Sequence, residues 1–122
     1  MKMKTLVLPV LLGLSLLMAA GCSFDTDQLL TFQVTVTPST VIGGSATNGT
    51  AQASAGAVFT ESGAIVVDPT EITWTSSNTS VATPLNTGLI YTSVVGSTTS
   101  VTITGYWPAE GETATTTLTV TP

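Results

Sequence analysis

The side chains able to do chemistry are few and unevenly placed. Cys22 is the only thiol, histidine is absent, and the only basic residues are Lys2 and Lys4. No histidine-based triad or histidine metal site can be assembled. Beyond Lys4 no amine remains for a Schiff base. Acid–base work by paired carboxylates needs two acids in one cleft. The nearest such pair, Glu110 and Glu112, flanks Gly111 in what reads as a solvated hairpin. Asp25 and Asp27 could clamp a cation, but two carboxylates on a linker are ordinarily just solvated. Asp68, Glu71 and Glu110 would share a calcium ion only if separate loops happened to converge. The chain is therefore expected not to be an enzyme, and no cofactor or metal is implied. One stretch has the composition of a binding loop, residues 106–112, YWPAEGE. Tyr106 and Trp107 would offer aromatic faces to a sugar or a protein, and Glu110 and Glu112 charges to a cation. The plainer reading is that one ring closes the open end of the core while the acids keep the tip soluble.

Charge narrows the partners. Past residue 21 the chain holds seven acids and no base. Such a surface cannot neutralise phosphates, so nucleic acid is excluded, as is electrostatic adsorption to anionic lipid. A disordered chain is also excluded, because charge is sparse while Val, Ile, Leu and aromatics recur in alternation. Roughly 100 residues suffice for one core. A single cysteine allows no intramolecular disulfide.

The first 31 residues read as export machinery. Lys2 and Lys4 precede an apolar run over residues 6–18, and small residues follow at Ala19, Ala20 and Gly21. This is a secretory signal, too short to span a membrane comfortably. The ending Ala19-Ala20-Gly21-Cys22, after Leu16-Leu17, resembles a bacterial lipobox. The resemblance implies cleavage between Gly21 and Cys22 and acylation of Cys22. Acyl burial is worth ~0.8 kcal/mol per CH₂, so two or more chains anchor stably. Ser23 resembles the default residue for transfer to the outer membrane in enterobacteria-like sorting. Residues 1–21 are thus expected to be a lipoprotein signal, 22–31 an acylated tether, and 32–122 a folded domain. The anchored domain belongs to the cell envelope, on a membrane face the sequence leaves open. A plain signal peptide with an incidental cysteine, or an uncleaved anchor, is the alternative.

In the domain, Phe32, Val34 and Val36 alternate with polar residues up to Pro38, which predicts a first strand. Val41 and Ile42 continue along a sheet edge. Ala51, Ala53, Ala55 and Ala57 alternate over residues 50–59, a strand with a small inward face that leaves room for a large side chain opposite. Residues 65–67 suggest a short edge strand. Residues 72–76 predict a central strand around Trp74, 89–95 and 99–107 two more, and 113–121 a last one. Gly88 is expected at positive φ in the turn before Leu89. No helix is expected. About seven short strands with turns every 8–12 residues read as an immunoglobulin-like Greek-key sandwich, all-β and without a disulfide. Asn48-Gly49-Thr50 and Asn78-Thr79-Ser80 match the glycosylation sequon, which carries little weight beside a lipobox.

Residues 72–83, ITWTSSNTSVAT, resemble the bacterial immunoglobulin-like domains of group 2, found in invasin- and intimin-type surface proteins. The pattern is Trp74, Ser76-Ser77-Asn78, Val81-Ala82-Thr83, Gly88, then Leu89-Ile90. Pro84 departs from it, standing where an apolar strand residue is usual and shortening the pairing there. The resemblance implies a sandwich and a surface setting, and names no ligand. The pentapeptides Val34-Thr35-Val36-Thr37-Pro38 and Leu118-Thr119-Val120-Thr121-Pro122 echo each other. They fit either a unit of a tandem array or simple Thr/Val strand composition. The expected function is a membrane-anchored envelope lipoprotein displaying one structural or adhesive domain, in contact with a surface protein or glycan. The alternatives are a carbohydrate or small-ligand module using Tyr106 and Trp107, or a phage-borne lipoprotein that modifies a receptor.

Overall fold

The computed structural model describes residues 27–122. The signal, the Gly21–Cys22 cleavage site and the start of the tether lie outside the described residues. Nine strands follow in order: β1 (Leu29–Thr37), β2 (Thr40–Ile42), β3 (Thr50–Phe59), β4 (Gly63–Val67), β5 (Thr73–Ser76), β6 (Ala82–Pro84), β7 (Leu89–Thr92), β8 (Thr99–Trp107) and β9 (Glu112–Thr121). A single 3₁₀ turn, Pro69–Glu71, interrupts them. Asp68 caps that turn by accepting from the Thr70 amide at 2.9 Å.

One sheet has the order β1-β3-β7-β6, with β4 also on β3; the other has β2-β9-β8-β5. In immunoglobulin lettering β1 is A, β3 B, β5 C, β6 D, β7 E, β8 F and β9 G, which gives the ABED and CFG sheets of that sandwich. The first strand is divided between the sheets. Its second half, β2, runs parallel to β9, with Val41 opposite Val120.

The alternation read from the sequence is what builds the interior. Val34 and Val36 from β1, the four alanines of β3, Val101 and Ile103 of β8, and Leu118 and Val120 of β9 are buried together with Trp74 and Ile90. Among the described residues no polar or charged residue is buried with them. Trp74 and the alanine row stand on opposing sheets of this one cluster. Below Trp74 lies Gly105, its partner across the β5–β8 ladder. A Cβ there would come within 2.8 Å of Val34 and 2.9 Å of the Trp74 ring. The indole thus occupies the space that a side chain at 105 would need. The indole N–H donates to the Pro69 carbonyl at 3.0 Å, so the polar end of a buried ring is satisfied.

Several expectations are corrected. Among the described residues there are nine strands: the expected edge strand at 65–67 is present as β4, Val41 and Ile42 form a separate strand, β2, and β6 (Ala82–Pro84) is a strand that the sequence did not single out. The strand holding Trp74 is the edge of its sheet, not the centre; β8 and β9 hold the middle. β7 stops at Thr92 instead of reaching Val95, because β3, its partner, starts at Thr50. β1 starts at Leu29, so residues 29–31 belong to the sheet rather than to the tether. Gly88 does adopt positive φ, 85°. Its amide donates to Leu85 and its carbonyl accepts from Ala53.

Candidate functional site

The Ser-Ser-Asn segment turns out to be a hydrogen-bonded corner. Ser76 Oγ accepts from the Asn78 amide at 3.1 Å, and Asn78 Oδ1 accepts from the Ser80 amide at 3.0 Å. The Asn78 carbonyl accepts from both Val81 and Ala82. Ser77 Oγ accepts from the Thr102 amide at 2.9 Å. Short polar side chains are needed here because each substitutes for a strand partner that the chain has just left. The corner is architecture, not a site.

The 106–112 loop is the β8–β9 connection at the end of the sandwich where β1 begins. The structure parts its two aromatics. Tyr106 faces solvent, 42% exposed, between Thr73 of β5 and Thr113 of β9. Trp107 faces inward, 6% exposed. Its ring lies 5.5 Å from that of Phe32 and 6.3 Å from that of Phe59, the latter edge-on. These three rings close the end of the core. The register carried this information: Val101, Ile103, Gly105 and Trp107 are one period-2 series. The Trp107 indole N–H is buried with no acceptor among the described residues. The turn is tied by Glu110 and Gly111 amides donating to the Trp107 carbonyl. Glu112, opposite Trp107, and Glu110 are half-buried. The loop therefore presents Tyr106 and two acids, and no paired aromatic platform.

Sequence reasoning left Asp27 as a solvated tether residue, yet it is one of the better-connected side chains in the chain. Its Oδ1 accepts from the amides of Glu61 at 2.7 Å and Ser62 at 3.1 Å. Its Oδ2 accepts from the Ser62 hydroxyl. Next to it the Gln28 amide donates to Thr60 Oγ1 and the Thr60 amide donates to the Gln28 carbonyl. Led by the Ser62 hydroxyl, these donors hold the Asp27 carboxyl below the usual carboxylate range. Asp68 is likewise held low, by the amide and hydroxyl of Thr70. No local signal marks the Asp27 contact, because its partners lie 34 and 35 positions away.

Asp68, Glu71 and Glu110 do not come together; among the described residues no three acids or thiols are grouped to hold a metal. Among the described residues, too, no helix is long and apolar enough to cross a membrane. Of the strands in the first sheet that pair on one side only, β1, β4 and β6, β4 pairs with β3. It carries Val66, 86% exposed, and Ile65, with no charge or proline to blunt it. No protein-family model matches the chain, and no curated protein matches it.

Proposed function

We propose that this chain is a lipid-anchored cell-envelope protein that displays one immunoglobulin-like domain of the group 2 kind, with a structural or adhesive role rather than a catalytic one. The observation that carries the reading is proximity. Asp27 is already bonded to the β3–β4 turn and the first strand begins at Leu29, seven positions after the lipobox-like cysteine. An acylated Cys22 at that spacing would hold the domain close to a lipid surface. The most exposed place for contact is the β4 edge, where an extended partner segment can add as a strand. Trp107 is engaged in the core, which disfavours a glycan platform built on Tyr106 and Trp107.

The test is metabolic labelling with palmitate and membrane fractionation of cells expressing the native chain and Cys22→Ser. The native chain should take up label, lose its signal and sediment with the outer membrane. The variant should be unlabelled and keep its signal. A native product found soluble with a free amine at its start would end the proposal. Shaving intact cells with proteinase K, not trypsin, then reports the face, since the chain past Lys4 offers trypsin no site.

A further inference from the structure

Strand directions give the sandwich two dissimilar ends. At one lie the start of β1, the β3–β4 turn and the β8–β9 turn, since Leu29 pairs with Phe59 and Trp107 with Glu112. At the other lie the connections 43–49, 77–81 and 93–98 and the end of β9, since Ile42 pairs with Thr121 and Ser93 donates to Val81. The first end carries Asp27, Glu61, Glu110 and Glu112. The three connections at the second carry no charge at all, and Val94 there is 80% exposed.

Asp27 and Gln28 fasten the entering chain to the β3–β4 turn through five described contacts. Cys22 precedes Asp27 by five positions, and a leash of five residues reaches at most about 18 Å. Resting on the anchoring proposed above, we infer that the end bearing the Asp27 latch and the β3–β4 and β8–β9 turns is the surface that meets the lipid headgroups, and that the charge-free end points away from the membrane. The Tyr106 loop, which the sequence singled out for recognition, then faces the anchor and not the outside. The acids at this end do not adsorb to an anionic leaflet; the leash alone sets the orientation, and contact with partners falls to the far end or to β4.

The experiment uses the acylated protein in phosphatidylcholine vesicles containing a headgroup-nitroxide lipid. A fluorophore is placed through Ala109→Cys or through Ser97→Cys, both exposed loop positions. Quenching should be several-fold greater at 109 than at 97. A ten-residue Gly/Ser insertion between Thr26 and Asp27 should erase most of that contrast, because the leash then no longer restricts the body. Equal quenching at the two positions, or more at 97, would overturn the orientation. A contrast untouched by the insertion would overturn the leash as its cause. Failure of the labelled protein to float with vesicles would instead defeat the anchoring itself, at a step before any quenching is read.

Discussion

Two tryptophans of similar burial hold different positions in the energetics. The Trp74 N–H is spent on the Pro69 carbonyl, whereas the Trp107 N–H is buried without an acceptor among the described residues. A buried hydrogen bond contributes about 1 kcal/mol net, and an orphan donor costs its desolvation. Trp74→Phe should therefore destabilise the domain by roughly 1 kcal/mol more than Trp107→Phe. Urea unfolding followed by the fluorescence of the remaining indole measures the difference, and equal losses would contradict it. Asp27 gives a pH-dependent counterpart. Its carboxyl titrates below the ordinary 3.8 in the folded chain. Its contribution is thus present above that value and is lost as pH falls through the folded one. Asp27→Asn should be less stable than the native chain at neutral pH, with the gap closing in acid. A gap that persists below the folded value would show that the charge is not what the amides and hydroxyl read. The direction of Trp107 was available in the sequence, because period 2 from Val101 settles it. The Asp27 contact was not, because a carboxylate on a polar stretch looks the same whether its donors are water or a distant turn.

Among the elements, β8 was read to the residue, and the alanine face of β3 was recognised as small for a reason. Such strands declare themselves because their two faces differ in chemistry. Sheet position does not declare itself. β5 looked central because it holds the largest side chain, yet it lies at an edge, and Trp74 is sealed by what lies across the ladder. Gly105 is the counterpart that was overlooked. Gly105→Ala would drive a methyl into Val34 and the Trp74 ring and should cost about 1–3 kcal/mol. Gly56→Ala is the control. A Cβ there meets only the Ile65 carbonyl, at 3.6 Å, so the change should be neutral or stabilising by up to about 0.5 kcal/mol. Thermal or chemical unfolding of the two variants decides it, and a similar loss in both would remove the close packing as the cause. The ends of β1 and β7 were misjudged because pairing partners, not local composition, set them.

For the molecule as a whole, the sandwich class and its order of turns were legible, since alternation and punctuation recur along the entire domain. Which end faces where was not, because it depends on which strands share a sheet. Composition makes one further statement at this scale. The described residues include six acids and no base, so charge acts on the fold chiefly as self-repulsion. Raising salt from about 10 mM to physiological strength shortens the screening length from ~30 to ~8 Å. The unfolding midpoint should rise modestly over that range, and a fall would show that attractive electrostatics had been overlooked.

The pairing of β2 with β9 has a mechanical meaning. β2 and β9 run parallel near the exit of the chain, with the Gly43 amide bonded to the Thr121 carbonyl and the Thr119 amide to Ser39. A pull applied between Cys22 and Pro122 would draw these strands in opposite directions along their length. Their bonds lie across the line of tension, so they would have to fail together rather than peel one by one. A body tugged from its tip while rooted at its base would yield as a clasp does, abruptly and at high load.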